Sequence, residues 1–118
     1  MSSTNEEVVR SYYAFADAGD LEGILSIFRD DAVYERPGLA PMNGREALRA
    51  FYAGPRLVKS GAHTLERVVT HDDIAIAQGE LNGELQSGES IRARFVDVYE
   101  ISDGLVKTRT TYFFSALI

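Results

Sequence analysis

An aspartate set in the middle of an apolar run is the residue in this sequence best placed to do chemistry. Between Ser90 and Ile101, alternation puts Ile91, Ala93, Phe95, Asp97, Tyr99 and Ile101 on one face of a strand. Arg92, Arg94, Val96, Val98 and Glu100 fall on the other. Asp97 is thus the one group on the greasier face that ionises below neutrality, and a carboxyl there must be ion-paired, hydrogen-bonded or protonated. General acid–base work and a purely structural pairing with an arginine or a tyrosine both satisfy that requirement. Two phenols raise the same choice. Tyr12 and Tyr52 belong to apolar stripes at helical spacing, so they are either large core residues or neutral donors aimed at a developing oxyanion. Two histidines complete the inventory: His63 at the start of a strand is a candidate base, whereas His71 lies in an acidic turn facing water. Two histidines without carboxylates at ligand spacing give no metal site.

These groups need elements to hold them. Thr4 and Glu7 have the spacing of a capping box, and Val8, Tyr12 and Phe15 with Val9 and Ala16 predict a helix over roughly residues 4 to 18, stopped by Gly19. Asp20 caps a second helix whose apolar face is Leu21, Ile24, Leu25 and Phe28, ending near Asp30. Val33 to Arg36, with Tyr34 inside it, is a short strand closed by Pro37 and Gly38. Ala47, Leu48, Phe51 and Tyr52 mark a third helix, capped by Asn43 and ended by Gly54 and Pro55. From His63 onward the period becomes two, which predicts strands over His63 to Thr70, Ile74 to Leu85, Ser90 to Ile101 and Leu105 to Phe114. Arg109 and Thr111 share a face of the last of these with Lys107 and Phe113. Helices first and a meander afterwards define an α+β domain, a curved antiparallel sheet packed against three N-terminal helices. Between the layers lies a cone suited to a small ligand, and the outer face of the sheet is most simply covered by a second copy, a symmetric homodimer.

Composition narrows the function. A chain of 118 residues, 45% hydrophobic, holds one domain, and no internal repeat or linker divides it. Twelve basic against eighteen acidic residues give a net charge of −6, which repels nucleic acid and anionic membrane surfaces. No apolar run approaches the roughly 20 residues that span a bilayer, and the start of the chain is acidic rather than signal-like. The absence of cysteine excludes disulfides and thiolate chemistry and fits a cytoplasmic location.

Order and spacing then bring in a family. Val8-Val9-Arg10-Ser11-Tyr12, Ala18 to Ile24, and Asp30 to Pro37, followed by Gly44-Arg45-Glu46, Phe51-Tyr52 and Arg94 to Tyr99, resemble bacterial ketosteroid isomerase and its SnoaL-like relatives in the nuclear-transport-factor-2-like (NTF2-like) superfamily. The resemblance covers almost the whole chain and implies a cone-shaped barrel, a dimer and no cofactor. It also implies that Tyr12 and a protonated Asp97 bind an enolate oxygen, supported by Tyr52. Two positions depart from the family: its general-base aspartate is Arg36, and a supporting tyrosine is Phe28. Arginine stays protonated and is no base. If Arg36 points inward, it can hold a carboxylate, enolate or phenolate while Tyr12 donates and Asp97 moves a proton, as an isomerase or cyclase of a steroid, polyketide or terpenoid-like carbonyl compound requires. A strand slipped by one residue would instead present Glu35. A pocket that binds a hydrophobic molecule without turnover is the third reading. Limonene epoxide hydrolases of the same superfamily carry an acid on the last strand, where this chain reads Arg109-Thr110-Thr111-Tyr112-Phe113. The candidate catalytic groups are therefore Tyr12, Asp97 and Arg36. Tyr52, Phe28, Tyr34 and His63, together with Phe95, Arg109 and Thr111, are expected to contact the ligand.

Overall fold

The first two helices begin where their capping chemistry dictates. The computed structural model describes residues 4–55 and 58–114. Helix α1 spans Asn5–Ala18; Thr4 and Glu7 form the full reciprocal capping box, and Gly19 ends the helix in the left-handed region at φ 68°. Helix α2 spans Leu21–Ser26, with the Asp20 side chain accepting from the Gly23 N–H. It stops earlier than its apolar spacing suggests. Phe28 opens strand β1 (Phe28–Glu35) and is fully buried there, because the chain has already changed to an extended period. After β2 (Met42–Asn43), helix α3 (Arg45–Ala53) starts from Gly44, at φ 90° and without a side-chain cap. Asn43 is not that cap, since it pairs with Val33 in the β1–β2 ladder.

The remaining strands are β3 (Val58–His71), β4 (Ile74–Leu85), β5 (Ser90–Ser102) and β6 (Leu105–Phe113). They form one sheet in the order β2-β1-β6-β5-β4-β3. β3 to β6 are the expected antiparallel meander, but β1 pairs parallel to β6, so the sheet is mixed. The helical connection through α3 and the long return through β3 to β5 permit this pairing, which no local pattern announces.

Register decides what shares the concave face. Ala77, Asp97 and Thr111 stand in one row across β4, β5 and β6. Ala75, Tyr99, Arg109 and Tyr34 stand in the next. Small residues on β4 leave room for α1 to dock, and Val8, Val9, Tyr12 and Tyr13 are the helix residues buried there. β3 curls tightly over β4. A Cβ on Gly79 would lie 2.3 Å from the Thr64 carbonyl oxygen, and one on Gly83 would lie 2.1 Å from that of Ser60, so only glycine fits at either place. His63 sits between these two close approaches, opposite Leu81. Among the described residues, no helix is long and apolar enough to cross a membrane.

Candidate functional site

Between the helices and the concave face lies a cavity of about 360 Å³. Tyr12, Tyr52, Tyr34, Arg36 and His63 line it, as do Phe95, Asp97, Arg109 and Thr111. Phe28 does not. It packs in the core with its ring edge-on to Tyr12, the centroids 6.3 Å apart, and reaches the cavity only through that neighbour.

At the centre of the polar wall is a buried ion pair. Arg109 Nη2 donates to Asp97 Oδ2 at 3.0 Å, with Arg109 5% and Asp97 0% exposed. Asp97 also accepts from the Tyr13 hydroxyl on Oδ2 and from the Thr111 hydroxyl on Oδ1. Tyr99 donates to Tyr13 at 3.0 Å. Because the Thr111 proton faces Asp97, the Tyr34 hydroxyl is the donor in its 2.9 Å bond to Thr111. Asp97 is thus an acceptor in all three of its contacts, and the cation beside it is Arg109 rather than Arg36. A neutral, donating Asp97 of the ketosteroid isomerase kind does not match this arrangement.

Tyr12 and Asp97 do not touch directly; the guanidinium lies between them. Arg109 Nη1 donates to Tyr12 at 2.8 Å and to Tyr52 at 3.0 Å, and the two phenolic oxygens are 3.0 Å apart. The guanidinium carbon also lies over the Tyr12 and Tyr34 rings, 4.1 and 4.4 Å from their centroids. Burial opposes the charge on Arg109, but Asp97 and the surrounding phenols outweigh it and hold the group above its ordinary value. Burial raises the phenols of Tyr12, Tyr13, Tyr52 and Tyr99, with Arg109 pulling the other way, so they are proton donors and not bases near neutrality.

Counting hydrogens identifies what is left for a ligand. Both protons of Arg109 Nη1 are taken by Tyr12 and Tyr52, and the Tyr12–Tyr52 bond takes one of the two hydroxyl protons. The other hydroxyl proton has no acceptor among the described residues, and both hydroxyl-bearing residues line the cavity. Arg36 supplies a second polar handle. It points inward, its guanidinium carbon 5.5 Å from the ring centroids of both Phe51 and Phe113, with no side-chain hydrogen bond or ion pair among the described residues. Glu35 is exposed and outside the cavity, which removes the slipped-strand alternative.

Two functional candidates escaped the sequence reading. Tyr13 and Asp17 follow Val9 at four-residue intervals on α1, so a helical stripe does connect them. Their partners lie 84 and 46 residues away, beyond the reach of any local pattern.

A SnoaL-like domain matches residues 9–108. The chain belongs to the SnoaL-like family. Solved structures place this SnoaL-like chain in the same fold. Bal32a, from a soil-derived mobile gene cassette, is 25% identical with a TM-score of 0.82, the match covering 94% of this chain and 89% of that one. TerC, co-crystallised with polyporic acid, is 23% identical with a TM-score of 0.85, covering 94% and 92%. A protein from Catenulispora acidiphila DSM 44928 with a ketosteroid isomerase-like fold, solved with trimethylamine, is 15% identical with a TM-score of 0.82, covering 92% and 86%. The SnoaL-like cone therefore has the NTF2-like architecture that the sequence resemblance implies.

Proposed function

We propose that this SnoaL-like protein is a cofactor-independent isomerase or cyclase that moves a proton on a hydrophobic carbonyl compound of steroid, polyketide or terpenoid type. The observation that carries the reading is the surplus phenolic proton of the Tyr12–Tyr52 pair, backed by Arg109 inside a largely apolar cavity. A donor already oriented by a fixed cation stabilises enolate charge without reorganising, which is the main electrostatic device for such chemistry. Arg36, seated between Phe51 and Phe113, favours a substrate with a second anionic oxygen, a carboxylate or phenolate, next to an aromatic or alicyclic body. TerC, of the same fold, was crystallised with an acid, which is the class of molecule Arg36 would select. Cytoplasmic location and a homodimer complete the proposal.

The test is conversion of a β,γ-unsaturated 3-ketosteroid to the conjugated enone, followed by absorbance, together with equilibrium binding of aromatic acids and their methyl esters. Turnover by the wild type that falls 10²-fold or more in Tyr12→Phe supports the reading; the acids should bind better than the esters, and Arg36→Ala should erase that preference. Arg36→Asp restores a base at the family position and should raise ketosteroid turnover. Saturable binding with no turnover by either protein would replace the enzyme reading with that of a binding or accessory protein.

A further inference from the structure

We propose that His63, held by Asp17, is the group that moves the proton in this cavity. The inference rests on the enzymatic reading above and names the base that reading lacks. Every other candidate fails on its own geometry or chemistry. Arg36 is a permanent cation. The phenols are donors. Asp97 is fully buried, and its oxygens already accept from Arg109, Tyr13 and Thr111. Glu35 faces away from the cavity.

His63 has the opposite set of properties. It lines the cavity, and its side chain is only 15% exposed. Its Nδ1 lies 2.6 Å from Asp17 Oδ1, and its backbone N–H donates to Oδ1 and Oδ2 of the same carboxylate at 3.2 and 3.0 Å. One carboxylate therefore fixes both the strand and the ring. A carboxylate facing Nδ1 requires the proton on that nitrogen, which leaves the Nε2 lone pair without a partner among the described residues. The ring is further held against Tyr13 and Phe95, at centroid separations of 5.2 and 5.7 Å.

Asp17 is itself out of place by local rules. It lies in the last turn of α1, where the helix dipole disfavours a negative charge and no basic residue compensates. A breach of a local preference is expected at a working site. Asp17 thus fixes the tautomer and the orientation of the ring, the role an orienting carboxylate plays beside a catalytic histidine.

The step balances without a co-reactant. Nε2 takes a proton from the carbon next to the substrate carbonyl, that C–H pair becomes the C=C bond of an enolate, and the enolate oxygen receives the free phenolic hydrogen bond of the Tyr12–Tyr52 pair. In isomerisation the imidazolium returns the proton to the γ-carbon and the carbonyl re-forms. In cyclisation the enolate carbon bonds to a second carbonyl, and the resulting alkoxide takes the proton.

The experiment is solvent deuterium uptake at the γ-carbon of a β,γ-unsaturated 3-ketosteroid and at the α-carbon of an aromatic β-diketone, read by mass spectrometry, with enone formation and binding measured in parallel. His63→Gln should keep its fold and bind both probes, yet lose 10²-fold or more in exchange rate. Asp17→Asn, a positioning change, should lower kcat with KM unchanged, and Asp17→Glu should recover part of that loss. His71→Gln, at an exposed turn, should match the wild type. Exchange in His63→Gln within threefold of the wild type, while Tyr12→Phe loses it, overturns the assignment of the base and leaves the proposed function standing. Neither exchange nor enone formation by the wild type with these probes overturns both.

Discussion

Asp97 and Arg109 form an ion pair shut off from water at 3.0 Å, so removing one partner strands the other in a low-dielectric wall. Such losses cost about 3–5 kcal/mol, and Asp97→Ala is expected to lower urea-unfolding stability by that amount. Asp97→Asn should cost less, since the amide oxygen can still accept from Arg109. Tyr13→Phe deletes one of the three donors to Asp97 and the acceptor of Tyr99, and a loss of about 1–3 kcal/mol is expected in the same measurement. The importance of Asp97 was visible at this scale, because one carboxyl interrupts an apolar face. Its partner was not. Arg109 is legible in the sequence as a ligand contact, and register alone sets it diagonally across from Asp97.

The elements owe their positions to a few backbone devices. Gly79→Ala would drive a Cβ into the backbone of β3, 2.3 Å from the Thr64 oxygen, and a destabilisation of about 1–3 kcal/mol is expected from thermal or denaturant melts. Because the same contact shapes the curl that carries His63, the proton transfer proposed for that residue should slow along with the loss of stability. Thr4→Ala breaks the reciprocal box of α1 and should cost about 1 kcal/mol by chemical denaturation. Both α1 and α2 were legible in their caps, where side-chain chemistry and backbone geometry coincide within three residues. The end of α2 was harder to read, since Phe28 suits a helical stripe as well as the first inward position of a strand.

Across the whole molecule, buried phenols tie stability to alkaline pH. Tyr12, Tyr13, Tyr52 and Tyr99 have folded-state values above the ordinary 10.0 because burial disfavours phenolate. A raised value favours the folded, protonated form below the unfolded value and loses that contribution as pH rises past it. Stability should therefore decline above about pH 10, with these phenols ionising only as the fold is lost; parallel tyrosinate absorbance and circular dichroism against pH would check this. The outer face of the sheet presents exposed Val69 and Ile76 in one row with half-buried Val98, and Ile74 and Tyr112 are also exposed. An apolar face of this kind supports the proposed homodimer, and sedimentation equilibrium should return twice the 13.0 kDa chain mass.

Local chemistry written along the chain determined the capped helices, the change of period after α3, the inward face of β5 and the family to which these features belong. Side-chain alternation and capping act over two to four residues, so a linear sequence displays them directly. The tertiary structure alone decided which inward residues meet. Parallel pairing of β1 with β6 brought Tyr34 to Arg109. Docking of α1 set Tyr12 on a guanidinium 97 residues away, and the curl of β3 joined His63 to Asp17 across 46. Those contacts depend on strand order, register and helix placement, which arise from packing of the whole chain.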